Sequence, residues 1–170
     1  DNDIETAVNL AEQIAERFWS HRHDLEPKTY LPQEAIRLGA DIAGGPVLLV
    51  ETADCCGGGA AGDSVATLRA LITQDVRDPA LVPVVDPAAA KACHVVGIGK
   101  SITLKLGHHV DPRWGTPLEV TGTVLRRTDG VFTYTGGIWD GQQGNMGPTA
   151  VLVFAMYADV ADYYEWKFAR

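Results

Sequence analysis

The fold class is best predicted from residues 46–64, PVLLVETADCCGGGAAGDS. This stretch opens with an apolar run, Pro46 to Val50, that lacks polar alternation and therefore predicts a strand covered on both faces. A glycine-rich loop follows, and beyond it apolar residues recur at helical spacing. Asp63, which lies between the loop and these residues, is predicted to be the N-cap of that helix. A strand, a loop and a helix in this order are typical of an α/β unit.

The rest of the first half alternates between helical and strand patterns. Apolar residues three and four positions apart predict an amphipathic helix over 4–20 and a shorter helix over 33–42. A second apolar run predicts a strand over 80–85, and a short helix is predicted over 88–96. Because strand and helix alternate, the first half is expected to pair its strands in parallel.

The second half is rich in Val, Thr and Leu, which favour strands. Strands are predicted over 101–106, 118–126, 131–135 and 149–156. Turn signals such as Asp129-Gly130 separate these strands and indicate antiparallel hairpins. We therefore expect an α/β fold. It is a single domain over residues 1–170, whose mixed sheet has parallel strand-helix units in the first half and antiparallel hairpins in the second.

The composition of the chain argues against several classes of function. The 14 Lys and Arg residues against 22 Asp and Glu give a formal charge of -8, which is the wrong sign for binding nucleic acid. No run reaches the roughly 18 consecutive apolar residues of a membrane span, and the N-terminus does not resemble a signal peptide. The chain has three cysteines, an odd number, and no C-x-x-C motif, so we expect the thiols to be free. Free thiols are typical of a reducing compartment, and a cytoplasmic location is therefore expected.

The glycine loop admits several interpretations. Gly57, Gly59 and Gly62 match G-x-G-x-x-G, and Asp86 ends the next predicted strand where a ribose-binding acid could lie. The loop also imitates a phosphate loop, but Asp63 occupies the position where that motif needs a lysine. Because the glycine pattern matches these motifs in part, a stand-alone small-ligand or nucleotide-binding module stays an alternative. So does a simple connection in which the glycines permit unusual backbone angles.

The residues that could carry catalysis do not form a recognised constellation. None of the five histidines lies in H-E-x-x-H, and no self-contained zinc site is predicted. Cys55 and Cys56 adjoin the glycine loop, where a thiol could act as a nucleophile, but no histidine is identified as their base. We predict no metal ligand and no catalytic residue in this chain.

Several blocks, in order, resemble the C-terminal domain of the microcystinase C (MlrC) family of zinc metallopeptidases. The blocks are Thr52-Ala53-Asp54, Gly57-Gly58-Gly59, Gly62-Asp63-Ser64, Asp86-Pro87-Ala88-Ala89-Ala90, Leu104-Lys105-Leu106-Gly107, Pro117 to Gly122, Thr128 to Phe132 and Asn145 to Leu152. The resemblance covers residues 1–152, and residues 153–170 form a divergent tail. The chain departs from the family pattern at Cys55-Cys56, where the family usually has Asn-Pro, and at His108-His109, where it tends to have Gly-Lys.

The resemblance implies that zinc and its ligands belong to a larger N-terminal domain of the same protein. This chain would then be the accessory C-terminal domain, which packs on the zinc-binding domain and holds no cofactor itself. The resemblance and the glycine loop together point to six residues that would line the active-site cleft or hold the loop: Asp54, Gly57, Gly58, Gly59, Asp63 and Ser64. A homodimer and a purely structural or dimerising role stay open, and no membrane partner is expected.

Overall fold

The computed structural model describes residues 3–74, 76 and 78–154, and the chain divides into two compact units, residues 1–31 and 32–170. The first unit contains helix α1 (Ile4–Ser20). Asp3 caps this helix by accepting a hydrogen bond from the backbone N–H of Thr6 at 3.1 Å. The helix predicted over 4–20 is confirmed.

Three further α-helices lie in the second unit: α2 (Pro32–Ala40), α3 (Ala66–Thr73) and α4 (Pro87–Val96). They confirm the predicted helices, although α2 ends two residues before the predicted end. Asp86 caps α4 by accepting from the N–H of Ala89 at 2.9 Å. The N-cap of α3 is Val65, which makes no side-chain cap bond. The prediction that Asp63 caps this helix is therefore wrong.

The second half forms antiparallel sheets, as predicted. The strands are β1 (Ser101–Leu106), β2 (Leu118–Thr128), β3 (Val131–Thr133), β4 (Gln143–Asn145) and β5 (Thr149–Phe154). One sheet has the order β1-β2-β5, and β3 pairs with β4 in a second sheet. Leu104 lies opposite Val120 in the first pair, and the register shifts between Val124 and Arg126 in the second. Residues 155–170 lie outside the described residues. They include the end of the strand predicted over 149–156 and most of the divergent tail predicted over 153–170.

The parallel pairing expected in the first half is corrected by the structure. Residues 46–50 and 80–85 form no regular secondary structure and belong to neither sheet. Val82 and Val84 still pack against the core, whereas Leu81 is 78% exposed. An apolar run specifies an extended, alternating segment, but a strand also needs a neighbour that completes its hydrogen bonds. The α/β class itself is confirmed, since helices and a sheet share one core.

The core lies between α3, α4 and the larger sheet. Its buried side chains are Val65, Leu68, Ala89, Leu106 and Val120. Val65 directly follows the glycine loop and Leu106 directly precedes the loop between β1 and β2, so the core anchors one end of each loop. Among the described residues, no helix has both the length and the hydropathy needed to cross a bilayer.

Candidate functional site: a cleft between two loops

Asp54 holds the glycine loop closed. Its Oδ1 accepts a hydrogen bond from the N–H of Gly62 at 2.8 Å, and its Oδ2 accepts from the N–H of Ser64 at 2.7 Å. Hydrogen bonds to an ionised carboxylate are the stronger kind, so this one side chain ties the two ends of the loop together. Ser64 adds a longer contact, in which its Oγ accepts from the N–H of Ala66 at 3.3 Å. These bonds have the form predicted for Asp54, whereas a role of this residue at an active site stays a prediction.

The N–H groups of the glycine loop are arranged differently from those of a phosphate loop. Cys56–Gly58 forms a 3₁₀ turn, and the N–H groups of Gly58, Gly59 and Ala60 donate to the carbonyls of Cys55 and Cys56 at 2.9–3.2 Å. Donors that are already bonded within the loop are not free to hold a carboxylate or a phosphate. A Cβ placed on Gly58 would meet nothing within 4 Å. The same holds for Gly59, so the loop offers an open surface without side chains at Gly58 and Gly59.

Asp63 links the glycine loop to the β1–β2 loop, residues 107–117. The residue is only 2% exposed, and its Oδ2 accepts from the N–H of Val110 at 2.7 Å and, more weakly, from the N–H of Asp111 at 3.3 Å. Its carbonyl accepts from the N–H of His108 at 2.9 Å. Asp63 is thus a buried carboxylate that joins two loops, which explains why it is not available to cap α3.

An open cleft of about 590 Å³ lies between the two loops. It is lined by Gly59, Ala60, Ala61, Val110, Asp111, Pro112 and Arg113. Of the six predicted site residues only Gly59 lines the cleft, while Asp54 and Asp63 hold its walls in place. Residues 110–113 were not among the site residues predicted from the sequence. In the sequence these residues are marked only by the turn at Asp111-Pro112. Because this turn is far from the glycine loop along the chain, the sequence does not predict that the two lie together.

Arg113 and Asp111 form an ion pair at the cleft. The guanidinium Nε and Nη2 donate to the two carboxylate oxygens at 2.8 and 2.7 Å. This hydrogen bonding holds the pKa of Asp111 at about 2, below its ordinary 3.8, and the pKa of Arg113 is raised by the same partner. Arg113, the arginine among the described residues that line the cleft, is therefore already paired, which leaves little positive charge there for an anionic ligand.

Replacing Arg113 with alanine is expected to raise the pKa of Asp111 towards 3.8, because the main group that favours its charged form is removed. Since the pKa of this carboxyl group is depressed in the folded chain, its contribution to stability is present above about pH 3.8 and is lost as pH falls through about 2. An NMR titration of the Asp111 carboxyl carbon measures the change. Arg37→Ala, an exposed arginine on α2, is the control, and an unchanged Asp111 titration in Arg113→Ala would contradict the assignment.

Asp86 is engaged within the fold. One carboxylate oxygen caps α4, and the other accepts from the N–H of Gly107 at 3.1 Å and lies 3.5 Å from His109 Nε2. Because both oxygens have partners, Asp86 is poorly suited to bind a ribose. Together with the bonded N–H groups of the glycine loop, this geometry does not favour the dinucleotide alternative.

His108 and the three thiols do not form a metal site with other described residues. His108 is 7% exposed, and its buried Nδ1 has no hydrogen-bond partner among the described residues. All three thiols are free: Cys55 and Cys56 are exposed, and Cys93 is buried, with a pKa raised mainly by burial and also by the charge of Asp86. Within residues 3–74, 76 and 78–154, no three His, Cys, Asp or Glu side chains are placed to share a metal ion.

Comparisons with known proteins identify one family and one solved structure with a similar fold. The family described as MlrC C-terminus matches residues 49–161. Microcystinase C from Sphingomonas sp. is 27% identical over 135 residues, a region that covers 77% of this chain and 26% of that protein. The structure named "Putative metallopeptidase" from Mesorhizobium sp. BNC1 superposes with a TM-score of 0.67 at 22% identity. That superposition covers 90% of this chain and 31% of the other, and it shows a shared fold.

Proposed function

Because this chain belongs to the MlrC C-terminus family, we propose that it is the accessory C-terminal domain of an MlrC-like zinc metallopeptidase or amidohydrolase. The substrates of that enzyme would be peptides or related amides. In this proposal the chain packs on a zinc-binding N-terminal domain of the same protein and lends its glycine loop to one wall of the active-site cleft. The domain comprises residues 1–170.

The observation that carries the proposal is the small share of its relatives that this chain spans. It covers 26% of microcystinase C and 31% of the Mesorhizobium protein. The remaining chain in such proteins is long enough for a separate domain of ordinary size or larger. The free thiols and the net charge of -8 support a cytoplasmic protein that does not bind nucleic acid.

The zinc of the parent enzyme is assigned to the N-terminal domain, since the described residues offer no ligand set that fits it. When bound there, zinc would polarise the amide carbonyl or activate water. Metal analysis after dialysis tests this division. We expect no stoichiometric zinc on the 170-residue chain and one or more zinc ions on the longer protein. A tightly held zinc on the 170-residue chain would overturn the domain assignment.

Replacing Gly58 with valine tests the role of the loop. A side chain at this position would enter open space, and no positive φ is recorded for Gly58, so stability should change by less than about 1 kcal/mol. If the loop forms a wall of the cleft, the same side chain would obstruct the substrate. We expect turnover of a peptide substrate by the full-length enzyme to fall by about tenfold or more, as measured with thermal unfolding alongside.

Two controls accompany this variant. Ala88→Val places an exposed valine on the first turn of α4, outside both the glycine loop and the residues that line the cleft, and should leave turnover unchanged. Gly58→Ala adds a smaller group at the same position and should give an intermediate loss. Unchanged turnover in Gly58→Val, or losses of turnover and stability that match each other, would indicate that the loop is only a connection.

A further inference from the structure

Residues 46–50 form an apolar segment whose backbone is unpaired within the part of the chain that the structure describes. The segment is part of no helix or sheet, and none of its backbone groups makes a hydrogen bond to another described residue. Leu48 is 84% exposed and Val50 is 73% exposed. An exposed, apolar, unpaired strand is a template for pairing with another strand, and proteins normally cover or blunt such edges.

The two faces of this segment differ in what they contact. Val47 Cγ1 and Leu49 Cδ2 lie 3.3 and 3.7 Å from the position that a Cβ on Gly39 would take, so this face lies against α2. Val47 and Leu49 are each 40% exposed, about half as much as Leu48 on the opposite face. A strand with apolar residues on both faces is typical of a sheet that is covered on both sides. Here, among the described residues, a neighbour is shown on the side of Val47 and Leu49.

We propose that residues 46–50 are a docking strand that pairs with a strand of the parent protein's N-terminal domain and buries Leu48 and Val50 there. This inference rests on the proposed function and specifies where the two domains meet. The partner is argued from length, since this chain spans only 26% and 31% of its two relatives. A partner within the same chain acts at millimolar effective concentration and therefore outcompetes a second copy.

The chemistry of recognition follows from the segment itself. Main-chain hydrogen bonds to the partner strand supply affinity, and apolar pockets for Leu48 and Val50 supply specificity. The segment carries no charge between Pro46 and Val50, so burial does not strand an unpaired ion. The glycine loop begins directly after it, and pairing at this strand would bring the loop to the domain boundary.

Hydrogen exchange on the wild-type proteins tests the docking strand. We expect the amides of residues 47–50 to exchange freely in the 170-residue chain and to be protected by about 100-fold or more in the full-length protein. Free exchange in both proteins would overturn the proposal. So would protection in the 170-residue chain that rises with its concentration, because the occupant would then be a second copy.

A substitution provides a second measurement. Leu48→Lys should leave the thermal midpoint of the 170-residue chain unchanged, since the side chain is already 84% exposed, but should remove protection at residues 47, 49 and 50 in the full-length protein. Ile138→Lys, at a residue that is 87% exposed, is the matched control and should keep that protection. Unchanged protection in Leu48→Lys would contradict burial of this residue. Protection without any zinc-dependent hydrolysis would keep the docking strand and reject the proposed enzyme.

Discussion

Replacing Gly107 with alanine is expected to destabilise the 170-residue chain by about 3–5 kcal/mol, a large part of the stability of an ordinary domain. Gly107 has a φ of +74°, a conformation that costs an alanine about 1–2 kcal/mol. A Cβ at this position would also overlap the carbonyl oxygen of Asp63 and Cγ1 of the buried Val65. Neither neighbour can move freely, because the carbonyl accepts from His108 and Val65 lies in the core.

Gly99→Ala is the control that separates the two costs. Gly99 has a φ of +75°, almost the same as Gly107, but a Cβ there would meet nothing within 4 Å. Urea unfolding of both variants should show a loss of about 1–2 kcal/mol for Gly99→Ala and a clearly larger loss for Gly107→Ala. Equal losses would mean that the two loops separate easily and that the contact between them is loose.

Replacing Asp63 with alanine is expected to cost about 2–4 kcal/mol, because the N–H groups of Val110 and Asp111 would lose the carboxylate that holds them. The loss should be concentrated at the cleft. The β1–β2 loop would no longer be tied to the glycine loop by this side chain, so residues 107–113 should become accessible to proteases. Chemical unfolding and limited proteolysis measure the two effects.

Two variants qualify the result for Asp63. Asp63→Asn keeps one acceptor oxygen at the same place and should lose less stability than Asp63→Ala. Asp129→Ala removes an exposed aspartate that accepts one backbone hydrogen bond, from Val131 at 3.1 Å, and should cost no more than about 1 kcal/mol. If Asp63→Ala costs no more than Asp129→Ala, the buried carboxylate does not hold the loops together.

Local patterns were sufficient for most of the secondary structure. The helical spacing from Ile4 to Ser20 and the Asp86-Pro87 start of α4 depend on neighbours within one or two turns. The turn at Asp129-Gly130 is equally local, and it separates β2 from β3 as predicted. Asp54 could also be identified in advance, because both of its hydrogen-bond partners lie within ten residues of it.

The position of the candidate site, and which of its polar groups are free to bind a ligand, depend on tertiary contacts. Asp63 reads as a helix cap in the sequence, but its partners are 47 and 48 residues away, and no local signal specifies such a pairing. The glycine loop reads as a set of exposed donors, yet three of its N–H groups are bonded to Cys55 and Cys56. The run from Pro46 to Val50 reads as a central strand. Its sequence specifies an extended apolar segment, whereas a place in a sheet depends on a neighbouring strand, and the described part of this chain provides none.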